Sequence, residues 1–401
     1  MNLVEKQVIT LLDGAMHGYK VDIKENVEWN KIIEEGNAHK IEGLIYSAIG
    51  QNSLKNIDSE ELNRWKLTTF QTGVSQIQHI NKISKVLEEL SENDIPVVVL
   101  KGLVVRDLYP RPELRTMCDA DILVHKEHLE KVEKLLLDQG YTILENSEEM
   151  HRAYYKNGTL IEVHWVITNE RYFDGIPEIE KSVWENAIEV TVGDSKALSM
   201  CDEDMAVHLC LHMATHLINR GFGIRQVCDL VLLIEQRGHL INWDSFLEKI
   251  RLCNIETFTK AIFMICESLF NTNIPFQLRG NIKPSVIEDL VEDIFSNGVH
   301  GKRDEAAAMA KQMAYDKDFS SETEVSVFKR YFNALFPKVD TMSYKFDYAK
   351  KYKILTPVAW IHHFCVWAFS SDYAIKDKMK FATSAMSISQ KRSNLIKRLE
   401  L

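Results

Sequence analysis

Two apolar runs in this sequence carry carboxylates through their middles: DADILV at 119–124 and TLIEVHWVI at 159–167. Both read as strands, rich in β-branched and large apolar residues. Side chains alternate along a strand, so Asp119, Asp121 and Leu123 share one face while Ala120, Ile122 and Val124 share the other. In the second run Leu160, Glu162, His164 and Val166 share a face, opposite Ile161, Val163 and Trp165. An unpaired buried carboxylate carries a large desolvation cost, so three of them in strands of one sheet demand cations or donors nearby. A pair of Mg²⁺ ions meets that demand. Mg²⁺ is hard and oxygen-seeking, binds carboxylates and substrate phosphates, and works with a second metal roughly 4 Å away in phosphoryl and nucleotidyl transfer.

The stretch before the first acids supplies the opposite charge. IPVVVL, 95–100, reads as a covered strand and is followed by Lys101-Gly102 and a short helical pattern that Pro110 and Pro112 stop. A glycine between strand and helix lets backbone approach a phosphate at the helix N-terminus, which makes this turn a candidate anion seat. Lys101, Arg106, Arg111 and Arg115 bring positive charge to the same region, suited to a triphosphate whose pyrophosphate must leave.

Around this core the periods are helical. Residues 1–94 recur at three- and four-residue spacing and end in a long helix, SEELNRWKLTTFQTGVSQIQHINKISKVLEELSEN. HKEHLEKVEKLLLDQGY reads as an amphipathic helix stopped by Gly140. Asn157-Gly158, between HRAYYK and TLIEVHWVI, predicts an antiparallel hairpin, and AIEVTVG an edge strand. From Asp202 onward only helical periods follow. A 401-residue chain is long enough for more than one core. The expected fold is therefore α+β: an N-terminal helical region (1–94), a small mixed β-sheet core (95–194) and a C-terminal helical region (195–401).

The order of glycine turn, short helix, Asp-x-Asp on one strand and a third acid on a later strand resembles the DNA polymerase β nucleotidyltransferase superfamily. Within it, LKG, LYP, the arginine four residues before the first acid, DADILV and LIEVHW are similar to a family of uncharacterised bacterial nucleotidyltransferases. GIRQVCDLVLLI and INWDSFLEKIRLCNI resemble that family's helical half, so the likeness runs from about Ile95 to Phe270. It implies that the sheet core is a nucleotidyltransferase core and that Asp119 and Asp121 hold two Mg²⁺ ions. Glu162 would complete the catalytic metal and help activate the attacking group, with Lys101 and Gly102 in the phosphate loop. The wider superfamily has glycine followed by serine or glycine in that loop; here Lys101-Gly102-Leu103 carries no hydroxyl.

Other candidates have two readings each. Arg115 neutralises the acids or contacts phosphate. His164, on the face of Glu162, orients it or touches substrate. Arg225 and Asp229, at i and i+4, form a helix pair or reach the pocket. His208, His212 and His216 line one helix face, yet no HExxH glutamate or cysteine pair accompanies them, which argues against zinc.

The net charge of −10 speaks against a dedicated duplex-DNA binder and favours a small-molecule or protein acceptor over nucleic acid. The locally basic tail after Lys376 reads as a solvated helix face. The N-terminus lacks a signal-peptide pattern, seven scattered cysteines without a CxxC pair read as reduced thiols, and ILTPVAWIHHFCVWAF reads as a buried helix too short to span a bilayer. A cytoplasmic enzyme without membrane contact is expected. It would transfer a nucleoside monophosphate from a nucleoside triphosphate, such as ATP, to an unidentified acceptor. A transfer-RNA-modifying toxin-type enzyme would use the same acids beside a basic strip, and a non-catalytic nucleotide-binding protein would lack one of them.

Overall fold

The computed structural model describes residues 1–24, 27–144, 150–219, 221–298, 347–352, 355–369 and 390–401. One compact unit comprises Met1–Arg303 and Leu395–Leu401, and a second comprises Asp304–Asn394. The sheet and every candidate site residue lie in the first.

Strand assignment follows the apolar runs. The sheet has seven strands: β1 (Val98–Val99), β2 (Asp119–Leu123), β3 (Thr142–Ile143), β4 (His151–Lys156), β5 (Thr159–His164), β6 (Ile188–Val192) and β7 (Ser195–Ser199). Their order is β3-β4-β5-β2-β1-β7-β6. The sheet is mixed: β2 runs parallel to β5, β1 parallel to β7, and the other neighbours are antiparallel. Asn157 and Gly158 both take positive φ, 48° and 80°, the backbone of a type I′ turn, and the β4–β5 hairpin forms as expected. β6 is the expected edge strand. β7 has no counterpart in the sequence reading: SKALS carries neither clean alternation nor β-branched residues, and it is a strand because it pairs along its whole length with β6 and, at Leu198 and Ser199, with β1, where Leu198 donates its N–H to the Val97 carbonyl at 2.9 Å.

The two sheet faces differ sharply. Ala120, Ile122, Val124, Ile161 and Val163 enter a core with Ile80, Ile83, Leu87 and Leu90 of the long helix Ser59–Glu92 and with Val132 and Leu136 of the helix Leu129–Asp138. Burying one such side chain contributes about 1.5–3 kcal/mol, which fixes the register and commits the alternate residues to the other face. The long helix also sets the loop before β2. Gln76 donates to the Met117 carbonyl and accepts from the Met117 N–H, both at 2.9 Å.

Helices frame the sheet in sequence. Leu3–His17, Trp29–His39 and Glu42–Ala48 precede the long helix, and Lys40, at φ 57°, ends the second of them. After β7 come Asp202–Asn219, Ile224–Arg237, Trp243–Leu252, Glu256–Phe270 and Pro284–Asn297.

In the second unit the helix Thr356–Phe369 coincides with the late apolar run. Among its described side chains, Ala359 is buried against Ala349 and Tyr348, whereas Val358 and Ile361 are 53% and 66% exposed, so this stretch is less covered than a buried helix would be. Among the described residues no helix is long and apolar enough to cross a membrane. Of the basic tail, residues 376–389 lie outside the described residues, and helix is described from 390.

Candidate active site

The parallel pairing of β2 with β5 brings the acids together. Asp121 and Glu162 are Cα partners across the two strands, and one carboxylate oxygen from each of Asp119, Asp121 and Glu162 lies within 4.8 Å of the other two. Three carboxylates at that spacing fit hard divalent cations, as expected from the donor set.

Asp121 is the most enclosed of the three, 6% exposed, and both its oxygens are engaged. His164 Nε2 donates to Oδ1 at 2.9 Å, and Lys101 Nζ lies 3.2 Å from Oδ2. Burial alone would raise its pKa, but Lys101 and His164 outweigh burial and hold the carboxyl well below its usual range. Asp119 is compensated less, by the more remote charges of Lys101 and Arg225. Burial and the charge of Asp121 push its pKa up to about 6. Lys101 is itself buried, which disfavours its charge, yet Asp121, Asp119 and Glu162 together raise its pKa. His164 follows the same pattern: burial lowers its pKa and Asp121 and Glu162 raise it further than burial lowers it.

The Lys101-Gly102 turn differs in detail from a simple glycine hinge. Lys101 rather than Gly102 takes the positive φ, 38° with ψ −110°, at the head of the four-residue helix Gly102–Val105. Strain of this kind persists only where the surroundings over-determine it. Gly102 is needed for space: a Cβ there would sit 2.6 Å from Arg115 Nη1 and 2.7 Å from Met117 Sδ.

Arg115 is buried and bound in two places to Asp229, with Nε at 3.1 Å from Oδ1 and Nη2 at 2.6 Å from Oδ2; Tyr109 donates to the same Oδ1 at 2.8 Å. Arg225 does not form the i,i+4 hydrogen-bonded pair with Asp229. Its Nη1 donates instead to Thr116 Oγ1 at 2.9 Å and to the Thr116 carbonyl, because the bidentate Arg115 fork and Tyr109 already satisfy Asp229. These contacts tie the helix Ile224–Arg237 to the loop that delivers β2.

The histidine row on the helix Asp202–Asn219 does not converge as a metal-ligand set among the described residues. His212 and His216 approach through their Nε2 atoms at 3.0 Å, and Gln226 Nε2 lies 3.3 Å from His212 Nδ1. His208 is 1% exposed with neither ring nitrogen hydrogen-bonded. Burial, reinforced by the charge of Lys101, lowers its pKa to about 3.

One participant escaped the sequence reading. His151 of β4 is the Cα partner of His164 of β5. The signal was available, since a two-residue turn at Asn157-Gly158 fixes the hairpin register and sets residue 151 opposite residue 164.

Residues 25–271 match the family described as uncharacterised nucleotidyltransferase. The chain belongs to that family. The match takes in the long helix, the whole sheet and the helices as far as Asn271. A comparison with curated proteins finds no match. Among solved structures, the chain is similar to the antibiotic-resistance factor ANT(2'')-Ia in solution, at 14% identity and TM-score 0.35, with 44% of this chain and 92% of that one covered. A crystal structure of ANT(2'')-Ia with adenylyl-2''-tobramycin gives 13% identity and TM-score 0.33, covering 43% and 94%. An antigenic nucleotidyltransferase-like protein from Paracoccidioides brasiliensis gives 12%, 0.31, 49% and 93%. For this nucleotidyltransferase-family chain, the acid cluster is a set of residues that could bind metal.

Proposed function

We propose that the chain is a Mg²⁺-dependent nucleotidyltransferase that moves a nucleoside monophosphate from a nucleoside triphosphate to an acceptor. The observation that carries this reading is the convergence of Asp119, Asp121 and Glu162 on the face of β2 and β5 opposite the core. The three carboxylates are the ligands for divalent cations, which when bound neutralise the triphosphate and stabilise charge developing at the α-phosphate. Lys101, now paired to Asp121, is placed to turn to a phosphate oxygen once that pairing is relieved. Gly102 keeps the turn narrow, and Arg115, locked by Asp229, holds its position. Arg115 and Arg225 add positive charge toward the nucleotide, and His164 fixes Asp121.

In the reaction an acceptor oxygen, or another nucleophile, forms a bond to the α-phosphorus. The bond from that phosphorus to the bridging oxygen breaks, and pyrophosphate departs with the electron pair. Glu162, less enclosed than Asp121, takes part in activating the acceptor and receiving its proton. A net charge of −10 favours a small-molecule or protein acceptor.

Calorimetric titration with each nucleoside triphosphate plus Mg²⁺, on the wild type and on Asp119→Asn with Asp121→Asn, tests the binding step. Transfer from an α-labelled nucleotide into an extract identifies the acceptor class. Saturable binding lost in the double variant supports the proposal. A wild type that binds no nucleotide and releases no pyrophosphate with any acceptor pool ends it.

A further inference from the structure

Glu162 belongs to a second convergence. Its Oε2 lies 3.7 Å from His151 Nε2 and 3.6 Å from His164 Nε2, and ligand atoms of His151, Glu162 and His164 all fall within 4.8 Å of one another. The two imidazoles, on cross-strand partners, have ring centroids 4.8 Å apart. Donors held by a tetrahedral ion with bonds of about 2.1 Å sit about 3.4 Å from one another, so the Glu162 spacings need to close by only a few tenths of an ångström. The positions are held by the hairpin rather than by a mobile loop, and both histidines are buried while Glu162 keeps partial exposure through which an ion can enter.

The chemistry of this set differs from that of the acids beside it. Asp119, Asp121 and Glu162 offer only carboxylate oxygen, which suits Mg²⁺. Two imidazole nitrogens and one carboxylate suit a borderline divalent ion, and for such donors affinity rises along the first transition row toward copper and zinc. We propose that His151, Glu162 and His164 form a separate site for a borderline transition-metal dication such as Zn²⁺ or Co²⁺, adjoining the all-carboxylate site and sharing Glu162 with it. Glu162 then bridges the two positions, as carboxylates do between paired metals. His164 links them as well. Its Nε2 now donates to Asp121 Oδ1, and ligation requires that nitrogen to give up its proton and that bond. Filling the histidine site therefore frees one oxygen of Asp121 for the neighbouring position.

The proposal rests on the reading of this sheet face as metal-binding, and its test separates the two sites. Co²⁺ and Zn²⁺ are titrated into the full-length protein without nucleotide, followed by the visible ligand-field bands of Co²⁺ and by calorimetry. The expected result is about one Co²⁺ equivalent with nitrogen-ligated bands and Zn²⁺ binding far tighter than Mg²⁺. His151→Gln should weaken Zn²⁺ at least tenfold, and Asp119→Asn, which removes a nearby charge but no ligand of this site, should weaken it less than His151→Gln does. Thermal melts show whether each variant folds; should His151→Gln not fold, the wild-type Co²⁺ spectrum decides alone. Absence of nitrogen-ligated bands overturns the proposal, and so does Zn²⁺ affinity that survives His151→Gln in a folded protein or falls further in Asp119→Asn than in His151→Gln. The nucleotidyltransferase reading stands or falls elsewhere, on Mg²⁺-nucleoside triphosphate binding in the wild type and its loss in the Asp119→Asn, Asp121→Asn double variant.

Discussion

Two buried clusters in this molecule set carboxylates against cations, and they balance differently. Around Asp229, one carboxylate meets one guanidinium: both oxygens accept from Arg115, and the Tyr109 hydroxyl takes a remaining lone pair. On β2 and β5, three carboxylates crowd within 4.8 Å, with Lys101 and His164 both bound to Asp121. The first cluster is complete as it stands and joins the helix Ile224–Arg237 to the loop before β2. The second keeps excess negative charge, visible in Asp119, whose pKa is raised to about 6. An ion pair that saturates its donors reads as structure, and one that leaves like charges crowded together reads as a place for a ligand.

Removing one carboxylate from each cluster tests that contrast most severely. Asp119→Asn should lower pyrophosphate release by roughly 10³-fold, since it removes a cation ligand, in a protein whose melting temperature does not fall. Asp229→Ala should act the other way, costing about 3–5 kcal/mol of stability in denaturant melts because Arg115 is left buried and unpaired. If both variants lose activity and stability together, the contrast collapses. Gly102→Ala joins the clusters: the new Cβ strikes Arg115 Nη1, which Asp229 prevents from yielding. We expect a loss of about 1–3 kcal/mol and a fall in rate, measured by melts and pyrophosphate release.

The pH dependence is a gentler probe. Asp119 is a carboxyl whose folded pKa, about 6, exceeds its ordinary 3.8, so the folded chain holds this proton more tightly than the unfolded one. Its contribution to stability is full below the ordinary value and is lost as pH rises toward 6. Cation binding needs the ionised form, so Mg²⁺ affinity should fall up to about tenfold per unit as pH drops below 6. Mg²⁺ titrations between pH 5 and 8 check this, and a flat profile contradicts the crowding. The smallest expected effect is that Asp119→Asn, without metal at pH 7, stabilises the fold by on the order of 1 kcal/mol, read from its melting temperature.

Much of this was legible in the chain. DADILV and TLIEVHWVI announce strands and assign their faces, because alternation is imposed by backbone geometry. Asn157-Gly158 announces a hairpin, because few other residue pairs accept two positive φ values. β7 was not legible, since SKALS owes its strand conformation to β6 and β1 on either side of it. The partner of Asp229 was also hidden: spacing offered Arg225, four residues away, whereas the true partner lies 114 positions earlier.

The sequence by itself determined which side chains share a face and which turns are tight, because those follow from periods of two and from φ preferences within a few residues. Only the tertiary structure decided that β2 lies parallel beside β5, so that Asp121 stands across from Glu162, and that Lys101 is held against Asp121. Strand order and long-range ion pairing depend on which buried surfaces fit and which charges can be compensated together. Those are properties of the packed whole, and local sequence carries no term for them.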